Sequence, residues 1–222
     1  MHTTLREAFY FSRNQFQPLL MIALVYALPS YIIELSLLSQ EGKPEPLFLA
    51  MINGLFMCLS IIQFGAAVLY IDNLSKGQGI SVSQAISMAI SRMGGLLLLN
   101  LLMGMAILGG LMLMVIPGLY LGYKLLFAEF YLLLKNQDPV TALKSSYKDT
   151  AGFAAELLPP LVIWGGATFV VSMMGSSAID REDEMVWAAL LLHQISMMLL
   201  SIYGWALIYR LYQKYIEKTP SS

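Results

Sequence analysis

The chain has 222 residues, of which 58% are hydrophobic and only 12% are charged, and its mean hydropathy is +0.68. Soluble domains carry about a quarter charged residues, so this composition excludes a water-soluble globular protein and indicates a membrane protein. The net charge of −1 argues against a nucleic-acid partner, and the lone cysteine, Cys58, excludes disulfide frameworks and cysteine metal sites.

The first 17 residues predict an amphipathic helix that lies in the membrane interface. Leu5, Phe9, Ser12 and Phe16 share one helical face, and Thr4 with Glu7 has the spacing of a capping box. The apolar run that follows, 18–38, is too long for a cleavable signal peptide. We therefore expect it to be the first membrane span.

Five further spans and two further amphipathic helices follow along the chain. Ser81 with Gln84, and Asp138 before Pro139, are predicted to begin the amphipathic helices. The predicted spans are 47–71, 94–115, 118–134, 152–176 and 185–210. Trp187 and the tyrosines near residue 210 stand where interfacial aromatic residues are expected.

The stretch 94–134 holds only two charges, Lys124 and Glu129. As one helix it would extend about 60 Å, twice the hydrocarbon core of a bilayer, so it must fold back on itself. Pro117 and Gly118 are the strong helix breakers near its middle, and we expect the turn there.

The fold class is thus an all-α polytopic bundle of six transmembrane helices with three cytoplasmic interfacial helices. Each interfacial helix precedes two spans, which predicts a single membrane domain built from a three-unit repeat, 4–72, 81–135 and 138–215. Any amphipathic helix produces similar stripes, so coincidence is the alternative to a repeat.

The distribution of Lys and Arg predicts the orientation. Ten of them precede the first span, follow the sixth, or lie between spans two and three or four and five, against Lys43 and Arg181 on the other side. By the positive-inside rule both termini are cytoplasmic.

Four intramembrane polar residues are candidates for a function, because charges at membrane depth are costly. They are Lys124, Glu129, Glu156 and His193. Glu156 is one possible partner for Lys124. The alternatives are a snorkelling lysine, carboxylates at the level of the interface, and a histidine that hydrogen-bonds between spans.

Enzyme motifs such as HExxH, the phosphate-binding Gly-rich loop and Gly-x-Ser-x-Gly do not occur in the sequence. No histidine, cysteine or acidic residues have metal-ligand spacing. We therefore expect neither an enzyme nor a cofactor.

The segment LMVIPGLYLGYKLLFAEFYLLLKNQDPVTALKSSYKDT, 113–150, resembles the YciC-like family of bacterial inner-membrane proteins. The shared pattern is an apolar Ile-Pro-Gly, a span, a short polar turn and Ala-Leu-Lys-Ser-Ser. Outside this segment the similarity is in helix order only. The resemblance implies a six-span inner-membrane protein without an established activity, and it brings no catalytic residues.

We expect a non-enzymatic envelope protein whose interfacial helices contact lipid headgroups or a membrane-protein partner. The candidate headgroup contacts are Arg13, Arg92, Lys144 and Lys148. The alternative is a small transporter or channel that uses Lys124, Glu129 and His193, and an intramembrane enzyme is a third possibility. The sequence does not indicate an oligomeric state.

Overall fold

The computed structural model describes residues 2–38, 44–178 and 185–217, and every regular element within these ranges is a helix. The helices are α1 His2–Asn14, α2 Phe16–Leu38, α3 Pro46–Ser75, α4 Val82–Ser91, α5 Met93–Leu113, α6 Val115–Leu125, α7 Ala128–Leu134, α8 Pro139–Asp149, α9 Ala154–Ala178 and α10 Val186–Leu211, which continues into a π-helical turn, Tyr212–Glu217. The predicted outer cations Lys43 and Arg181, the acidic loop 179–184 and Lys218 lie outside the described residues.

Within the described ranges, five helices are long and apolar enough to cross a membrane. They are α2, α3, α5, most of α9, and α10 with its π-helical turn, and they coincide with five of the predicted spans. The predicted fourth span, 118–134, is instead divided between α6 and α7, neither of which has the length of a span.

The core lies towards one end of the bundle. Its largest fully buried side chains come from α7 and from the end of α10, and the buried residues of α3 all lie in 61–72. The rings of Phe130 and Tyr212 stack with their centroids 4.7 Å apart, and Phe64 meets Phe130 edge-on at 6.1 Å. The first half of α3 and most of α9 are exposed apolar surface, as expected of helices that face lipid.

Each short amphipathic helix packs on the C-terminal part of a long apolar region. For α4 and α8 this region comes directly before the helix in the sequence, and for α1 it is α10. α1 packs on α10, α4 on α3, and α8 on α7. An alanine at the equivalent position of each helix, Ala8, Ala85 and Ala142, is fully buried. Small side chains at these positions allow the helices to approach closely.

The capping prediction is confirmed for two of the three helices. Ser81 and Gln84 form a complete capping box, and the Asp138 side chain accepts a hydrogen bond from the Thr141 N–H at 3.0 Å. The prediction for Thr4 is wrong, because α1 already begins at His2. The Thr4 hydroxyl is buried and accepts a hydrogen bond from Lys214 Nζ at 3.3 Å.

The reversal in the stretch 94–134 occurs at Met114, not at Pro117 and Gly118. Met114 has an extended backbone between α5 and α6. Pro117 lies in the first turn of α6, where its missing N–H is not needed. Gly118 lies where the two helices meet, since a Cβ there would be 2.9 Å from the Leu111 nitrogen. The proline–glycine pair thus starts the second helix and allows it to pack closely on the first.

Candidate functional site

Lys124 lies at the end of α6 and is only 5% exposed. Its Nζ donates a hydrogen bond to the Tyr147 carbonyl of α8 at 3.1 Å. The same Nζ lies 4.8 Å from the centroid of the Tyr147 ring and 5.7 Å from that of Tyr120. A backbone carbonyl and two ring faces therefore surround the ammonium group, which is a typical cation–π arrangement.

The helix break beside Lys124 is closed by hydroxyl groups of α8. The Phe127 N–H donates to Ser146 Oγ at 3.1 Å, and Ser146 Oγ donates to the Lys124 carbonyl at 2.9 Å. The Thr150 hydroxyl is shared between the same carbonyl, at 3.2 Å, and the Ser146 carbonyl of α8, at 2.7 Å. Backbone groups freed at a break in an apolar environment must find partners, and these two side chains supply them.

Two tyrosine hydroxyls join the same region to the end of α8. Tyr123 donates to the Thr150 carbonyl, and Tyr131 donates to the Asp149 carboxylate. The polar side chains around the break therefore bond mainly to backbone groups of the break and of the α8 region, and Tyr131 with Asp149 is a bond between two side chains. These hydrogen bonds hold α6, α7 and α8 together as one unit. The residues around the break therefore form a structural junction whose polar groups face the interior of the protein.

Glu129 has a different partner from Lys124. Its Oε1 accepts a hydrogen bond from Asn100 Nδ2 of α5 at 2.6 Å. Glu156 is exposed in the first turn of α9, and among the described residues the one ion pair within 4 Å is Asp72 with Lys76. Glu156, one possible partner for Lys124, therefore does not form an ion pair with it, and the Lys124 ammonium bonds instead to the Tyr147 carbonyl.

His193 of α10 packs against α9, and it is far in sequence from the break between α6 and α7. An added Cβ at Gly175 would meet its Nδ1 at 1.9 Å, so the imidazole packs directly on the glycine backbone. Nδ1 is buried without a hydrogen-bond partner. Next to it, Gln194 Nε2 donates to Glu34 Oε2 of α2 at 3.0 Å. Glu34 is an acidic residue inside the first predicted span, and the sequence analysis missed it although its charge was visible there.

A second polar cluster that the sequence analysis missed lies where α3 and α10 meet. Asp72 Oδ2 accepts a hydrogen bond from Lys76 Nζ at 2.7 Å, and Asp72 Oδ1 accepts one from Tyr209 OH at 3.1 Å. The Ser75 and Tyr209 hydroxyls are 2.6 Å apart. Each oxygen of the buried carboxylate thus has a donor, and the bond from Tyr209 ties the two long helices together.

The four predicted headgroup contacts divide into two groups. Arg13, Lys144 and Lys148 are exposed on α1 and α8. Arg92 is half-buried between α4 and α5, and its guanidinium donates to the carbonyl of Leu133 at the end of α7. Arg92 therefore caps a helix end, where a cation also interacts favourably with the helix dipole.

Three cavities border these elements. A groove of about 460 Å³ between α1 and α10 is lined by Phe9, Ser12, Arg13, Phe16, Leu199, Ile202 and Tyr203. A cavity of about 240 Å³ lies beside His193, and a polar one of about 220 Å³ lies between Glu7 and the end of α10. Lys124 and Glu129 line none of the three. Within 2–38, 44–178 and 185–217, no three His, Cys, Asp or Glu side chains are placed to hold a metal ion.

The chain is similar to two curated bacterial proteins. A UPF0259 membrane protein of Photorhabdus laumondii is 25% identical, over 86% of this chain and 92% of its own length. A UPF0259 membrane protein of Pectobacterium carotovorum is 27% identical, over 73% and 78%. Neither a family model nor a solved structure matches the chain.

This chain is similar to the UPF0259 membrane proteins over most of its length. The resemblance to the YciC-like family is confirmed, and it extends beyond 113–150 to most of the chain. With its five long apolar helices, the chain is a multi-pass membrane protein. The Ala-Leu-Lys-Ser-Ser motif of that segment contains Ser146, the residue that closes the break beside Lys124.

Proposed function

We propose that this chain is a non-enzymatic inner-membrane protein that binds anionic phospholipid headgroups through basic residues of α1 and α8, with α4 lying in the same cytoplasmic interface. The observation that carries the proposal is the surface of these helices. Each combines a buried alanine with a large apolar side chain that is exposed, among them Phe9, Ile90 and Val140. Exposed apolar residues beside basic ones are typical of helices that lie in a membrane interface.

Six crossings are supported by the contacts along α5. Gly110 meets Gly118, Asn100 bonds to Glu129, and Gly95 meets Leu132. As the residue number falls along α5 it rises along α6 and α7. The two short helices together therefore run antiparallel to α5 over most of its length, and we propose that they form the return crossing. An even number of crossings places both termini on one side.

The three-unit repeat is supported by the equivalent packing of α1, α4 and α8. Four residues after each alanine, Ser12, Ala89 and Ser146 are also buried. Each helix thus presents two small residues to the long region that it packs on. If the amphipathic patterns were coincidental, small residues would not need to be buried at the same two positions in all three helices.

The cytoplasmic orientation rests on the Lys and Arg distribution, since ten of these residues lie on the side of α1, α4 and α8. Arg13, Lys144 and Lys148 are exposed there, next to Phe16, Val140 and Tyr147, which are exposed as well. A lysine or arginine near an anionic membrane surface contributes about 1 kcal/mol. A separate membrane-protein partner on the same face stays a prediction.

Reversing the three exposed charges tests the proposal. The triple variant carries Arg13→Glu, Lys144→Glu and Lys148→Glu. It should retain roughly 100-fold less phosphatidylglycerol on the purified protein, because each basic residue contributes about 1 kcal/mol to headgroup binding. Native mass spectrometry of bound lipid measures it. The charge-retaining control is Arg13→Lys, Lys144→Arg and Lys148→Arg. Equal retention by the reversed and control variants would exclude headgroup binding by these residues.

The alternative of a small transporter or channel is less well supported. Lys124 and Glu129 each have hydrogen-bond partners on neighbouring helices, and His193 lies beside a separate cavity. Shared access to one aqueous path would be needed for the three to act together. The alternative therefore stays a prediction.

A further inference from the structure

A small polar cavity lies between α1 and the end of α10, and its lining does not include Arg13, Lys144 or Lys148. Glu7 of α1 forms one wall, and Arg210, Gln213 and Lys214 form the other. Its volume is about 220 Å³, which is smaller than the roughly 300–1,000 Å³ of cavities that hold drug-sized ligands. The size suits a small polar group.

Both cations of the cavity are held in place by neutral groups. Arg210 Nη1 donates a hydrogen bond to Gln213 Oε1 at 3.2 Å, and its guanidinium lies 5.4 Å from the centroid of the Phe11 ring. Lys214 Nζ donates to Thr4 Oγ1 at 3.3 Å. These contacts fix the positions of the two positive charges without neutralising them.

Glu7 shares the cavity but does not form an ion pair with either cation. In the part of the chain that the structure describes, only Asp72 and Lys76 approach within 4 Å as an ion pair. The cavity therefore holds two positive charges and, across a gap, one negative charge. An anion alone would be attracted by Arg210 and Lys214 but repelled by Glu7, whereas a group carrying both signs satisfies all three.

The depth of the cavity matches the headgroup region. Arg210 follows Trp187 by 23 residues in one continuous helix, about 35 Å along its axis. A bilayer has a hydrocarbon core of about 30 Å and a total thickness of about 40–45 Å. With Trp187 at the outer interface, Arg210 and Lys214 lie at the level of the inner headgroups.

We propose that this cavity binds a phosphate–ammonium zwitterion, the headgroup chemistry of phosphatidylethanolamine. Arg210 and Lys214 donate charge-assisted hydrogen bonds to the phosphate, and Glu7 accepts hydrogen bonds from the primary ammonium. The assignment rests on the proposed function only for the placement of α1 at the headgroup region. It uses different residues and a different class of headgroup.

The test compares lipids that share the phosphate but differ in the cation. The protein is reconstituted with equal phosphatidylethanolamine, phosphatidylcholine and phosphatidylglycerol, and retained lipid is counted by native mass spectrometry. The wild type should retain phosphatidylethanolamine about tenfold over phosphatidylcholine, because the trimethylated nitrogen of phosphatidylcholine cannot donate hydrogen bonds. A tenfold preference is what the loss of one hydrogen bond to a charged group produces.

Glu7→Gln should abolish this preference, and Glu7→Asp should restore part of it. Arg210→Gln with Lys214→Gln should weaken retention of both lipids. Glu156→Gln removes another exposed carboxylate and should change nothing. Thermal unfolding of each variant shows that the chain is folded, so a loss of preference in a folded Glu7→Gln protein reports on the cavity itself.

A second arm separates the two sources of this headgroup. Soluble phosphoethanolamine is titrated into the detergent-solubilised full chain. Glu7-dependent binding of the soluble compound supports a free metabolite as the ligand, and Glu7-dependent retention of the lipid alone supports phosphatidylethanolamine. Equal retention of phosphatidylethanolamine and phosphatidylcholine by the wild type, without soluble binding, would overturn the proposal. The same result would leave phosphatidylglycerol binding by Arg13, Lys144 and Lys148 standing.

Discussion

Replacing Gly110 with alanine should destabilise the protein by about 1–3 kcal/mol, the usual cost of forcing extra atoms into a packed site. A Cβ at Gly110 would lie 2.9 Å from the Gly118 Cα and 3.0 Å from the Gly118 nitrogen. Backbone atoms cannot turn aside as a flexible side chain can. We therefore expect α5 and α6 to move apart and to lose contacts on both sides of the turn at Met114.

Gly104 and Gly109 of the same helix provide matched controls. A Cβ at either would meet nothing within 4 Å, so alanine there should leave stability unchanged or raise it slightly. The free energy of unfolding, measured by denaturant titration in mixed micelles, distinguishes the variants. A Gly110→Ala protein as stable as Gly104→Ala would contradict the close packing of α5 and α6.

Replacing Ser146 with alanine should cost about 1–3 kcal/mol, because it leaves the buried Phe127 N–H without an acceptor. In this variant the Thr150 hydroxyl, 3.2 Å away, can still donate to the Lys124 carbonyl. Adding Thr150→Val removes that bond as well, so the double variant should lose more stability than the two single variants added together.

Ser145→Ala is the control for Ser146→Ala, since Ser145 is the half-buried neighbour on the same helix. Thermal unfolding in detergent gives the comparison, and labelling of a cysteine introduced at Leu126 reports whether the break between α6 and α7 has opened. If Ser145→Ala and Ser146→Ala unfold alike, the hydroxyl bridge does not stabilise the break.

The long helices could be predicted because apolar runs of their length have few alternatives. The break between α5 and α6 was predicted three residues too late, and the break between α6 and α7 was not predicted. Met114 is not a helix breaker by type, and its extended backbone joins two helices that pack closely where Gly110 meets Gly118. No glycine or proline marks the break between α6 and α7, which Ser146 stabilises from 20 residues further along the sequence.

The contacts of the candidate site could not be predicted either, because they too depend on residues far apart in the sequence. The charge of Lys124 marked it as unusual, but its partners are a backbone carbonyl and two rings, which no sequence pattern specifies. Glu34 and Asp72 were visible as acidic residues in or at the end of apolar runs, and attention to charge alone would have found them. The cavity at Glu7 joins residues from opposite ends of the chain, so only the fold reveals it.

The number of crossings depends on whether α6 and α7 together recross the membrane. Gln78 precedes α4 and α5, Lys135 follows α7, and both side chains are exposed. Each is changed to cysteine in a Cys58→Ser background and treated with a membrane-impermeant maleimide in intact spheroplasts and in inside-out vesicles. We expect both cysteines to react only in the vesicles, on the cytoplasmic side. Labelling of Gln78→Cys and Lys135→Cys from opposite sides would contradict the six crossings and the common face of α1, α4 and α8.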